Sequence, residues 1–296
     1  MAANLKKILI LGAAGMAGHM IYYYLFSLKK YELFTICFRK KLTSDSVILS
    51  VYNIDELRAV LELFKPDYII NAVGVLINEA NRSPENAVYI NAYFPHVLAR
   101  LIDDMNKKSR LIHISTDCVF SGKKGLYADN DEKDALDVYG MTKNLGEIID
   151  KKNLTIRTSI IGPEIKENGE GLFHWIFSQR ENNEINGYEK SIWGGVTTLE
   201  LAKAIVQYID HDTTGLFQLS NGERITKYDL IQLIVERFKL NIKVHKIEGV
   251  ISDKSIIPSV SKNINYIVPS YFEMIDELYN FMNKHKNIYS SYLENK

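Results

Sequence analysis

The chain has no net charge: 36 lysines and arginines balance 36 aspartates and glutamates over 296 residues. That balance offers no long-range field for nucleic acid or an anionic membrane, so any phosphate site must be local. Cysteine is scarce. Cys37 and Cys118 build no disulfide framework, which points to a reducing compartment. Long apolar runs are missing too. The first, in "MAANLKKILILGAAG", stops at glycine, too short for a signal-peptide core or a membrane span. The chain therefore reads as cytoplasmic. His19, His113 and His174 are isolated, without metal-ligand spacing, so they read as structural and no metal is expected. There is no repeat and no low-complexity tract. What remains, 46% hydrophobic and 24% charged residues, is a soluble globule long enough to bury a sizeable core.

Short apolar runs alternate with helical periodicity through the first half. Strands are expected at 6–12, 34–40, 67–74, 110–120 and 154–162, and helices at 16–28, 54–65, 85–108 and 138–152. Two-sidedly apolar strands separated by helices predict a doubly wound parallel α/β sheet (Rossmann), with ligands at the C-terminal strand ends. After Gly162 the pattern loosens into loops, with helices at 196–210 and 226–240 and a last helical stretch near the end. This predicts a dinucleotide-binding domain over 1–160, with residues near 193–220 returning to it, and a smaller mixed α/β substrate lobe over 161–296.

"ILGAAGMAGHM" sets Gly12, Gly15 and Gly18 three apart, straight after the first strand and opening the first helix. The first glycine allows a tight turn, the second lets backbone approach a pyrophosphate, and the third allows close helix–strand packing. About twenty residues on, where an acid would bind the ribose 2′-hydroxyl, the chain has "CFRKK" and no acid. The guanidinium of Arg39 suits a 2′-phosphate instead, so NADP(H) is expected over NAD(H), with NAD(H) left open. The strand end "NAVGV", Asn71 to Val75, is small enough for a cofactor to lie against backbone; a plain strand–helix turn reads the same way.

"DVYGMTKNLGE" puts Tyr139 and Lys143 four apart, on one face of a helix. The spacing alone is cheap, since Tyr292 and Lys296 repeat it at the tail. Context distinguishes the first pair. "GAAGMAG", "NAVG", "STDCVFSG", "YGMTK" and "WGGVTTLELAKAI", in this order, resemble the extended short-chain dehydrogenase/reductase family, most of all its dTDP-4-dehydrorhamnose reductase branch. The resemblance covers essentially the whole chain and is densest over residues 8–160.

That resemblance implies NADPH-dependent reduction of the C4 ketone of a nucleotide-linked 4-keto-6-deoxy sugar, in deoxysugar synthesis for surface polysaccharide. It implies Tyr139 as general acid, Lys143 as its partner and Thr116 as the hydroxyl completing the triad. The implied cofactor contacts are Gly12, Gly15, Met16, Ala17, Gly18, Arg39, Asn71, Ala72, Val73, Gly74 and Asn91, with Tyr139 and Lys143. The implied substrate contacts are Val75, Asp117, Cys118, Tyr139, Ile160 and Trp193. The chemistry agrees. Ketone reduction needs a hydride at carbon and a proton at the developing alkoxide, and a tyrosine of ordinary pKa, about 10, is a sluggish donor at neutral pH. Lys143 and an oxidised nicotinamide are expected to draw that pKa down, and Lys143 to hold the nicotinamide ribose. Thr116 is expected to orient the carbonyl.

Several positions keep two readings. Asn91 positions a water behind the lysine or bonds backbone, Asp117 faces substrate or caps a turn, Arg157 meets a phosphate or a buried carboxylate, and Trp193 stacks on ligand or fills core. Two departures stand out: the family usually carries tyrosine at Cys118 and tends to carry tryptophan at Ile160. The same residues would serve a sugar-nucleotide epimerase that regenerates its cofactor. The regulatory subunit of methionine adenosyltransferase, an NADP binder, is similar to the same branch. The expected partner is a nucleotide sugar, with no nucleic acid and no membrane, and a homodimer is left open.

Overall fold

The computed structural model describes residues 5–166, 168–260, 264 and 266–294. Apolar residues along the first strand are buried on alternate faces of the sheet, and that alternation builds the layers. In β1 (Lys6–Leu11), Ile8 and Ile10 face one side of the sheet and Leu9 and Leu11 the other. β2 (Tyr31–Cys37), β3 (Val47–Ile48), β4 (Tyr68–Asn71), β5 (Arg110–Thr116), β6 (Leu154–Thr158) and β7 (Gly215–Gln218) complete a sheet ordered β3-β2-β1-β4-β5-β6-β7. Every pairing in it is parallel. The doubly wound α/β expectation is borne out. On the Ile8 face pack α1 (Met16–Leu28) and α5 (Thr198–Asp210); on the Leu9 face pack α2 (Ile54–Phe64) and α3 (Phe94–Met105). The order reverses between β1 and β4, so the ligand crevice is expected where those two strands end. No described helix is long and apolar enough to cross a membrane.

The strands expected over 67–74 and 110–120 end early, at Asn71 and Thr116, and four further boundaries differ for a tertiary reason. β2 starts three residues early because Tyr31 pairs with Lys6, and the chain bends after Cys37. The helix expected over 85–108 is interrupted by a wide π turn over Val88–Tyr93. Pro95 has no N–H for the carbonyl four residues back, at Asn91, so the turn opens there. The helix expected over 138–152 is only α4 (Val138–Leu145). Gly146 ends it by lying against that same Asn91 carbonyl, where a Cβ would sit 1.9 Å from the oxygen. The strand expected over 154–162 breaks at Ser159, whose carbonyl accepts from Val196 N (2.9 Å), and Ile160–Ile161 pairs with Val196–Thr197 outside the main sheet.

From Gly162 onward, besides α5 and β7, the elements are helix Leu172–Ser178, α6 (Lys227–Arg237), α7 (Tyr271–Lys284), helix Lys286–Leu293 and short strand pairs. Thr197, Thr226 and Ser270 cap α5, α6 and α7. One element deep in the fold is polar. Arg157 of β6 is fully buried and grips Glu147 with two bonds, Nε to Oε1 at 2.9 Å and Nη2 to Oε2 at 2.7 Å. Its other arm donates to Gln218 Oε1 of β7 (2.9 Å), and Ser115 Oγ of β5 donates to Glu147 (2.8 Å). Arg157 is thus a structural ion pair, not a phosphate ligand. Glu147→Ala strands a buried guanidinium, so chemical denaturation should show a loss of about 3–5 kcal/mol; a loss within experimental error would contradict the pairing.

Candidate active site

The glycine turn sits where β1 and β4 end side by side. Gly12 has a left-handed backbone (φ +74°), and a Cβ there would lie 2.9 Å from the Ala72 carbonyl. A Cβ on Gly18 would lie 2.2 Å from the Gly12 carbonyl. These two glycines close the turn onto strand and helix, and Gly15, Met16 and Ala17 face the cavity. Gly15 caps α1 with no side chain, and no acid occupies the first turn. An uncapped helix N-terminus facing open space fits a dinucleotide pyrophosphate.

The β4 end forms the facing wall with Ala72, Val73, Gly74 and Val75. Asn71 is buried beneath it, accepting from Val73 N (3.1 Å) and donating to His113 Nδ1 (3.1 Å). Asn91 is buried in the π turn and clamps Val75 on both backbone groups, at 3.0 and 3.1 Å. It also reaches Thr142 Oγ1 (3.4 Å) on α4. Its side chain is spent on backbone and on Thr142, one of the two roles the sequence allowed.

At the cavity floor, β5 and α4 bring together Thr116, Cys118, Tyr139 and Lys143, with Ile160 across from them, around a space of about 550 Å³. Asp137 caps α4 by accepting from Gly140 N (2.8 Å). Lys143 is buried and donates to the Ile114 carbonyl (2.8 Å). Thr116 Oγ1 accepts from Cys118 N (3.1 Å) and donates to the Asp117 carboxylate (3.2 Å). Asp117 and Trp193 are buried behind the wall, outside the lining; the Trp193 indole donates to Ser159 Oγ (2.9 Å). Arg39 is exposed just past β2, its guanidinium over the Phe38 ring.

The family described as RmlD substrate binding domain matches residues 6–260. The chain belongs to the RmlD family. Among curated relatives, this RmlD chain is 27% identical to dTDP-4-dehydrorhamnose reductase of Aggregatibacter actinomycetemcomitans, over 71% of the chain and 70% of the relative. It is 25% identical to methionine adenosyltransferase 2 subunit beta of Danio rerio, over 79% and 75%. A dTDP-4-dehydrorhamnose reductase from Bacillus anthracis, solved in complex with NADP, superposes with a TM-score of 0.79 at 21% identity, over 94% and 100% of the two chains. At that identity the likeness bears on the fold. The expected likeness to the dTDP-4-dehydrorhamnose reductase branch is borne out.

The RmlD cavity also holds residues that no sequence motif marked. Thr158 and Ser159 reach it from the end of β6, and Glu164, Lys166, Glu170 and Gly171 from the polar loop after Gly162. Glu164 Oε1 accepts from Glu170 N (2.9 Å) and Gly171 N (2.7 Å), and Lys166 bridges both carboxylates. Tyr292, set aside as half of a chance spacing, is the strut beneath this loop, bonded to the Glu164 N and O at 3.0 Å each. Its spacing partner Lys296 lies outside the described residues.

Electrostatically, one expectation is reversed. Burial, with Cys118 next, pushes the Tyr139 phenol above its ordinary range, and the Thr116 hydroxyl opposes this. The lysine's ammonium points to the Ile114 carbonyl instead. Burial lowers Lys143 to about 8, with Glu147 opposing, and raises the Cys118 thiol to about 12. Cys118 is therefore a protonated wall residue, not a nucleophile. Because Lys143 titrates near 8, its positive charge is present below that pH and lost above it. NADPH affinity should hold from pH 6 to 7.5 and weaken as pH rises past about 8. Lys143→Met should flatten that dependence in a fluorescence titration; a decline that survives in Lys143→Met would contradict it.

Proposed function

We propose that this chain reduces the C4 ketone of a nucleotide-linked 4-keto-6-deoxy sugar with NADPH, a cytoplasmic step in deoxysugar synthesis for surface polysaccharide. The observation that carries the reading is one cavity lined by an uncapped helix N-terminus at Gly15 and by Thr116, Tyr139 and Lys143. In this reading residues 1–160, with the returning strand β7, hold the dinucleotide, and residues 161–296 supply the sugar-nucleotide side. When bound, NADPH supplies the hydride.

Gly15, Met16 and Ala17 would hold the pyrophosphate, the β4 end the adenine side, and Arg39 the 2′-phosphate, since no acid follows β2 to prefer a free hydroxyl. Lys143 would hold the nicotinamide ribose and keep a positive charge under the reacting carbon. Tyr139 stays protonated in the resting site and so is armed as the donor to the developing alkoxide. Thr116 would turn its hydroxyl from Asp117 to the ketone oxygen, and polarise it in the geometry an alkoxide needs. Cys118 and Ile160 leave that part of the cavity without aromatic surface.

The similarity to methionine adenosyltransferase 2 subunit beta supports a second reading, a cofactor-binding regulatory subunit. An epimerase of the same superfamily would use the same tyrosine and lysine while consuming no cofactor. Turnover separates all three. The protein should oxidise one NADPH per ketone reduced, and Tyr139→Phe should lose about a hundredfold or more in rate while still binding NADPH. Absence of NADPH consumption with every keto-sugar nucleotide would overturn the reductase.

A further inference from the structure

The cavity wall carries two basic side chains among the described residues, and neither is free for an anionic substrate. Lys143 is buried on the Ile114 carbonyl, and Lys166 is neutralised between Glu164 and Glu170. A third ammonium approaches from the later part of the chain. The segment from Ser252 to Ile257 is fastened across the loop that follows the catalytic strand. Asp253 N donates to the Gly122 carbonyl (2.8 Å), Tyr127 N to the Ser255 carbonyl (2.9 Å), and Ile257 N to the Tyr127 carbonyl (2.9 Å). Asp253 is itself held by Arg224.

Lys254 sits in the middle of this fastening. Gly122, with φ +83°, leaves room for its stem: a Cβ there would come within 3.1 Å of Lys254 Cγ. Lys254 is part-buried and stands just outside the cavity lining, behind Cys118, with Asp117 and Asp137 also nearby. Yet it forms no ion pair with either, or with any other described carboxylate. Asp117 is engaged by Thr116, and Asp137 by the backbone of α4. Lys227, at the start of α6, adds a second positive charge on the Asp117 side.

We propose that Lys254 is a substrate-binding residue that receives the diphosphate of the sugar nucleotide and so seats the sugar over Cys118, beside Tyr139. The proposal rests on the sugar-nucleotide reading. A diphosphate brings at least two negative charges to a cavity whose own cations are committed, and an ammonium answers them with charge-assisted bonds. Asp253 and Gly122 act by aiming the lysine.

The test is calorimetric titration of NADP-saturated protein with dTDP and UDP, and with thymidine and uridine as phosphate-free controls. Lys254→Met should weaken binding of the preferred nucleoside diphosphate roughly tenfold or more, leaving nucleoside and NADPH affinity unchanged, and Lys254→Arg should restore most of it. Nucleoside diphosphate affinity unchanged between Lys254→Met and the unaltered protein overturns the proposal. If that variant fails to fold, the unaltered protein decides: the nucleoside diphosphate, but not the nucleoside, should slow acetylation of Lys254, and equal acetylation overturns it. Should the diphosphate effect appear while no keto-sugar nucleotide consumes NADPH, the site stands and the reductase reading falls. Should turnover proceed with KM unchanged in Lys254→Met, the reductase stands and the site falls.

Discussion

A fully buried guanidinium–carboxylate pair holds the catalytic end of this fold together. Arg157 and Glu147 are removed from water, and each would be costly alone. Together they are satisfied by Ser115 and Gln218, so one network ties β5, the chain after α4, β6 and β7. β5 and β6 also deliver Thr116 and Thr158 to the cavity, and Glu147 directly follows the helix that carries Lys143. The carboxylate further opposes the burial that would strip Lys143 of its proton.

A second constraint joins the cofactor wall to the catalytic helix. Pro95 withholds a donor from the Asn91 carbonyl and the helix widens to a π turn, while the Asn91 side chain clamps Val75 and meets Thr142. Gly146 then packs on the released carbonyl and stops α4. The β4 end and the Tyr139–Lys143 helix are therefore positioned by one residue between them. Tyr139 and Lys143 gain their chemistry from this placement and not from their spacing, which the tail of the chain repeats.

The sheet, the glycine turn and the Tyr139–Lys143 helix were legible in the sequence because each obeys a local rule. Short two-sidedly apolar runs located β1 and β4, and α1 runs over the thirteen residues its periodicity marked. The misses are non-local. Nothing near Gly146 reveals that a carbonyl from residue 91 will block its Cβ, and nothing near Ser159 reveals that Val196 will pull the strand out of the main sheet. Glu164, Lys166 and Lys254 reach the cavity region from polar loops without motif or periodicity. The direction of the Tyr139 shift also escaped, because a lysine one helical turn away was read as facing the phenol. In the fold it turns its ammonium to a backbone carbonyl, and burial of the phenol decides the sign.

The central claim is that this cavity brings a nicotinamide and a sugar ketone together for a net transfer. The most direct test follows the hydride itself: NADPH deuterated at C4 of the nicotinamide, incubated with a nucleotide-linked 4-keto-6-deoxy sugar, and the product read by NMR and mass spectrometry. The account predicts one deuterium at the sugar C4, bonded to the new carbinol carbon, with oxidised cofactor released. Label that stays on the cofactor would contradict it.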